Sequence, residues 1–328
     1  MRAGKDGSAC GTSGALRIAG VPIIVSNPPP RGLKVIGSLY RRFVQGGPAD
    51  DNGPAITIAM KHSPPPALAG MKKIFDTRES WALLDDGPRL WAVYHPPMHA
   101  EPFWVAGFDR RVKRVEYFCP SGGESLHPAD YPLDQLLLMY YFARRRGLLA
   151  HAAGMVLKGK AFLFAGASGA GKSTFSLLLA AARAGKMLSD ERMIVREISG
   201  EMVAFGTPWA GTAGIARNGS APLAGIFFLK HGKRNRIEKM DPASAADRML
   251  PMISIPWYDP DSAAQIIAFA KRVFATVPAY EFSFTPDSAA ADCFKEFLKS
   301  ETGPGQKAES QRPKAKGKRQ KREILPRS

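Results

Sequence analysis

The stretch Phe162–Thr174, FLFAGASGAGKST, runs from a short apolar strand into a glycine-spaced loop that ends on Lys-Ser-Thr. Gly166, Gly171, Lys172 and Ser173 fit the spacing G-x-x-x-x-G-K-[ST] of a phosphate-binding loop. Glycines permit positive φ and let several backbone N–H groups converge on one anion without a Cβ in the way. A helix starting at Lys172 aims its unpaired N–H groups and positive dipole end at the same anion. Residues Gly166, Ala167, Ser168, Gly169, Ala170, Gly171, Lys172, Ser173 and Thr174 are therefore expected to bind a nucleoside triphosphate. Lys172 would meet the β and γ phosphates, and the Ser173 hydroxyl would ligate Mg²⁺. ATP and Mg²⁺ are the expected cofactors. The rival is a glycine-rich strand-to-helix turn that holds no ligand.

Outward from the loop, strand and helix alternate, as in an α/β domain. Two strands are expected in LLAHAAGMVL and AFLFA, and helices over 132–146, 172–184, 243–249, 262–277 and 287–299. RMIVREI-SG-EMVAFG reads as a hairpin about Ser199-Gly200. Asp190 and Glu191 end the short buried strand KMLS, eighteen and nineteen residues after Lys172. One helix and one strand fill that interval, which brings the pair back to the loop. One carboxylate can coordinate Mg²⁺ while the other accepts a proton, provided the chain turns at Asp190. An ordinary polar strand end is the alternative. His151, amid apolar residues, is either a core histidine or a functional group. In GTPWAGTAGIARNGSAP, Arg217 is a candidate phosphate clamp or a surface arginine.

Toward the N-terminus the pattern changes. LRIAGVPIIV, AITIAM, SWALLDD, RLWAVYH, FWVAGFD and VKRVEYF are rich in Val, Ile and aromatics and are separated by Pro and Gly clusters. They predict a mainly antiparallel β domain over 15–125, ahead of an α/β domain over 130–300. Residues 1–14 are expected to be flexible, and 301–328 to be a disordered basic tail. From Thr302 onward nine Lys or Arg face two Glu, which accounts for +7 of the formal net charge of +17. That tail has almost no apolar residues and suits an acidic partner or simple solvation. The remaining +10 suits a protein that handles phosphate anions. The chain carries 45% hydrophobic and 23% charged residues, no run long enough to span a membrane, and no secretory signal at its start. Cys10, Cys119 and Cys293 are odd in number and far apart, so neither a disulfide framework nor a metal cluster is expected. A cytoplasmic protein is the expectation.

HAAGMVLKGKAFLFAGASGAGKST followed by LSDERMIV resembles the catalytic domain of HPr kinase/phosphorylase and its relatives, which share a fold with phosphoenolpyruvate carboxykinases. The resemblance implies roles for matching positions. Asp190 would deprotonate the acceptor hydroxyl, Glu191 with Ser173 would hold Mg²⁺, and His151 would sit beside the transferred phosphoryl group. The second acidic position is Glu here, where the family pattern has Asp. The pattern is most similar to divergent HPr kinase-like proteins, some of which accompany peptide-modifying machinery. It implies an ATP- and Mg²⁺-dependent kinase acting on a Ser-type hydroxyl of a protein or peptide; the oligomeric state, a homo-oligomer among the options, is left open by the sequence. A small-molecule kinase and a nucleotide-binding regulatory scaffold remain open beside it.

Overall fold

The computed structural model describes residues 15–28, 37–44, 54–96, 101–119, 127–129 and 131–302. The segment 1–14, Cys10 and tail residues 303–328 lie outside them. The architecture is mixed α/β, with two large sheets and few helices.

The first sheet holds β1 (Leu16–Ile18), β2 (Val21–Ser26), β3 (Ile56–Lys61), β4 (Lys72–Asp76), β5 (Trp81–Asp85), β6 (Leu90–Tyr94), β7 (Trp104–Phe108) and β8 (Arg114–Phe118). Their order is β1-β2-β3-β8-β7-β6-β5-β4. All neighbours are antiparallel except β2–β3 and β3–β8, which run parallel. Alternation is clearest in β3, where Ile56, Ile58 and Met60 are buried and their neighbours are not. The edge strand β4, KKIFD, was not expected, because its charges mask a strand that packs on one side only.

The second sheet holds β9 (Gly147–Leu157), β10 (Lys160–Ala165), β11 (Lys186–Ser189), β12 (Arg192–Ile198), β13 (Glu201–Phe205), β14 (Ser220–His231), β15 (Arg236–Lys239) and β16 (Ala279–Phe284). β9 is its organising strand. It pairs antiparallel with β10 along one edge; along the other it meets β12 with its first half and β11 with its second. β14 starts beside β13, then runs parallel between β10 and β16. The β12–β13 turn is at Ser199-Gly200, both with positive φ, as a two-residue hairpin requires.

The helices are α1 (Leu133–Ala143), α2 (Lys172–Ala181), α3 (Pro242–Met249), α4 (Pro260–Thr276) and α5 (Ser288–Thr302). α1 ends at Ala143, three residues short of the expected end at Arg146, so the arginine run lies outside it. Arg144 and Arg145 lie in the following turn, where they donate to the carbonyls of Arg110 and Arg111 at 3.2 and 3.4 Å. Asp241 and Asp259 cap α3 and α4 ahead of Pro242 and Pro260. Among the described residues no helix is long and apolar enough to cross a membrane.

Every residue of α1 except Gln135 is buried, because the helix lies between the two sheets and shows solvent almost no face. Fully buried side chains such as Leu137 and Phe142 each contribute about 1.5–3 kcal/mol of apolar burial. The core around α1 is continuous from Ile56 and Phe108 in the first sheet to Leu149 and Ile194 in the second. Polar braces cross the same boundary. The Tyr141 hydroxyl donates to Pro54 O at 3.0 Å, Arg196 Nη1 to Ala19 O at 2.7 Å, and Arg110 Nε to Asp259 Oδ2 at 2.8 Å. A second, phenylalanine-rich core locks α2 to β10: Phe164, Phe175, Phe227 and Phe294 lie edge-on or tilted at 5.0–6.1 Å between ring centres.

Candidate functional site

β10 brings Ala165 to the end of the sheet, and the chain turns through Gly166–Gly171 into α2. Gly171 occupies the N-cap at φ 90°, a left-handed conformation. A Cβ there would lie 2.6 Å from Phe284 Cζ and 3.0 Å from His231 Cε1, so both backbone and space call for glycine. Lys172, the first helical residue, is buried and folds back over the loop. Its Nζ donates to Gly166 O at 2.8 Å and to Ala167 O at 3.2 Å. Burial pulls its pKa below the ordinary lysine value, with nearby Glu191 acting in the opposite direction.

The two carboxylates arrive through pairing to β9. Ser189 of β11 pairs with Gly154, and Arg192 of β12 pairs with His151. Between them the chain bends, and Ser189 Oγ accepts from the amides of Glu191 and Arg192, each at 3.2 Å. The bend sends the neighbouring side chains to different surroundings. Glu191 is partly exposed, with Oε1 3.3 Å from His151 Nδ1. His151 is half-buried, and its pKa lies below the usual 6.5: burial is the main cause, Lys172 adds to it, Glu191 opposes it, and Arg192 lowers it further. His151 is thus neutral at pH 7 and can accept a proton.

Asp190 is 1% exposed and faces a backbone turn. Its carboxylate accepts from Gly211 N at 2.9 Å, Ala213 N at 2.7 Å and Ile215 N at 3.2 Å. Alternate amides of residues 211–215 converge on its oxygens and fill three of their roughly four lone-pair sites. Between two of those amides, the Thr212 hydroxyl stands 3.2 Å from Ser173 Oγ.

Distant side chains fix the rest of this turn. Trp209 Nε1 donates to Asp134 Oδ2 at 2.7 Å and lies 3.0 Å from the Tyr40 hydroxyl, which itself donates to Asp134 Oδ2 at 2.7 Å. Arg42 Nη1 reaches Ala216 O at 2.8 Å, and Thr207 Oγ1 donates to Arg192 O at 2.7 Å. Arg217 contributes its backbone, donating to Leu188 O at 2.8 Å. Its guanidinium is exposed and, among the described residues, makes no hydrogen bond or ion pair.

Lys172, Ser173, His151 and Glu191 therefore gather at one end of the second sheet, while Asp190 faces the turn and Arg217 faces solvent. Sequence reasoning missed Thr212 and His231. His231 Nε2 lies 2.9 Å from Gly169 O, carried there by β14, which runs parallel to β10 and ends level with the loop. Among the described residues no three His, Cys, Asp or Glu side chains are grouped to hold a metal ion. The oxygens of Ser173, Thr212 and Glu191 are the hard donors that Mg²⁺ takes.

A family model described as "SynChlorMet cassette protein ScmC" matches residues 133–284, somewhat under half of the chain, and that span includes every residue just described except Tyr40 and Arg42. No curated protein matches the chain. Among solved structures, the Hpr(Ser) kinase/phosphatase from Coxiella burnetii is similar at 9% identity, covering 47% of this chain and 89% of that one. Its TM-score is 0.28, a likeness too slight to carry an argument.

Proposed function

We propose that the chain is an ATP- and Mg²⁺-dependent phosphotransferase of HPr kinase-like type, which moves the γ-phosphoryl group of ATP to a hydroxyl on a protein or peptide. The observation that carries this reading is the buried Lys172 ammonium, bound among the described residues to two loop carbonyls beside a left-handed glycine turn, with Ser173, Glu191 and His151 around it. A desolvated cation at the N-terminus of α2 is matched by a polyphosphate. Residues 130–300 would carry the chemistry, and 15–125 would support the Thr207–Arg217 turn.

The loop amides and Lys172 would bind the β and γ phosphates, Lys172 exchanging its carbonyl partners for phosphate oxygens. Mg²⁺, held by Ser173 and Glu191, would neutralise charge on the same phosphates. The acceptor oxygen forms its bond to Pγ as the bond from Pγ to the β–γ bridging oxygen breaks and ADP leaves. His151, neutral and paired with Glu191, would take the hydroxyl proton, with Asp190 held by its three amides.

The test is incubation of the purified protein with labelled ATP and candidate acceptor peptides, followed by mass analysis for an added phosphate. Lys172→Ala is expected to weaken nucleotide binding by about 1.5–3 kcal/mol, roughly ten- to hundredfold. Absence of nucleotide binding by the wild-type protein would sink the reading. Binding without transfer to any peptide or metabolite would favour the scaffold alternative.

A further inference from the structure

We infer that Thr212 is a second hydroxyl ligand at the metal site and that Asp190 is the positioning residue that seats it, an inference that rests on the phosphotransfer reading above. Three observations converge. The Thr212 hydroxyl is 3.2 Å from Ser173 Oγ, the group that the loop motif gives to the metal. Thr212 is solvent-exposed, so no packing holds it there; its place is set by the backbone on either side. That backbone is clasped by Asp190 through Gly211 N, Ala213 N and Ile215 N, three of the five amides from 211 to 215.

The clasp has a second consequence. Gly211 passes so close that a Cβ on it would lie 2.9 Å from Glu191 Oε2 and 3.0 Å from Asp190 Oδ2. The turn therefore lies directly against both carboxylates at Gly211, and the next residue, Thr212, reaches Ser173. Two neutral hydroxyls and one carboxylate form a weakly charged oxygen set. Such a set suits a divalent cation that arrives already bound to phosphate oxygens and keeps several of its waters. An aspartate buried under three amide donors is a rigid anchor.

The experiment measures binding of a fluorescent ATP analogue to the full chain while Mg²⁺ is titrated, with a parallel measurement in EDTA. Thr212→Ala is expected to raise the half-saturating Mg²⁺ concentration about tenfold, as loss of a metal-site partner does. Its affinity in EDTA should stay at the wild-type value, and Thr212→Ser should restore the wild-type Mg²⁺ requirement. Asp190→Asn is expected to raise the Mg²⁺ requirement in the same direction and to speed hydrogen exchange at the amides of Gly211, Ala213 and Ile215. A wild-type Mg²⁺ requirement in Thr212→Ala overturns the inference while leaving the phosphotransfer reading intact. So does an Asp190→Asn protein that loses transfer with unchanged Mg²⁺ requirement and unchanged exchange, which would return Asp190 to the role of proton acceptor. A wild-type protein that binds the analogue neither with nor without Mg²⁺ overturns both.

Discussion

Two loops meet at Ser173, and they are held by opposite means. The Gly166–Gly171 loop is built largely from its own backbone: left-handed glycines, a strand before it, a helix after it, and a lysine bonded to carbonyls five and six residues back, with His231 added from β14. The Thr207–Arg217 turn owes its shape to side chains from elsewhere. Asp190 is 21 to 25 positions away from the amides it binds, Asp134 is 75 from Trp209, and Arg42 is 174 from Ala216. Locally determined structure repeats wherever its motif does. Structure pinned from a distance exists only in the finished fold, and it can be loosened without touching the motif.

That contrast can be broken at several points. Gly171→Ala should have the largest effect, since the new Cβ meets Phe284 at 2.6 Å in a left-handed residue. Overpacking of about 1–3 kcal/mol adds to about 1–2 kcal/mol of backbone strain, to be read from chemical denaturation together with loss of nucleotide binding. Trp209→Phe comes next. It removes the indole donor from a fully buried carboxylate and should cost about 1–3 kcal/mol. Because the glycine loop is untouched, limited proteolysis should cut first within 206–219, and nucleotide affinity in EDTA should hold.

Gly169→Ala sharpens the comparison from the other side. Its φ of 79° is left-handed but nothing lies within 4 Å of the new Cβ, so only the backbone term of about 1–2 kcal/mol is expected. A larger loss would mean that this glycine is also needed for ligand approach. The smallest effect concerns pH. Glu191 raises the pKa of His151 against the downward pull of burial, Lys172 and Arg192. Glu191→Gln weakens the proposed Mg²⁺ site, so the test is made on the transfer that remains at saturating Mg²⁺: its acid limb should move to lower pH, since His151 then loses its proton more readily. A limb that moves upward or stays in place would remove His151 as proton acceptor.

The same division explains what was legible. The strand, loop and helix from Phe162 to Ala181 declare themselves through glycine spacing and apolar runs, as do the Ser199-Gly200 hairpin and most strands of the first sheet. β4 and β15 escaped because KKIFD and RIEK carry the charges that protect sheet edges, and charge hides alternation. The parallel placement of β3 between β2 and β8 has no local signal, because each partner is brought by long-range topology. At the site, the pattern pointed to the Asp190-Glu191 pair but not to its split. That split depends on Ser189 Oγ shaping the bend and on a turn two strands later supplying amides. His231 and Thr212 carry no motif, and only the register of β14 and the Asp190 clasp bring them to the loop.

The helix α1, walled on both sides, gives the molecule an indivisible character. A chain trimmed to begin at residue 130 would keep the glycine turn and the acidic pair, yet α1 would face water along one whole flank of leucine and aromatic rings. It would also lose Tyr40 and Arg42, two props beneath the turn that carries Thr212. The front third of the protein is thus structural footing for the end that carries the glycine loop, and inheritance of one without the other would leave a protein prone to clump before it could bind anything.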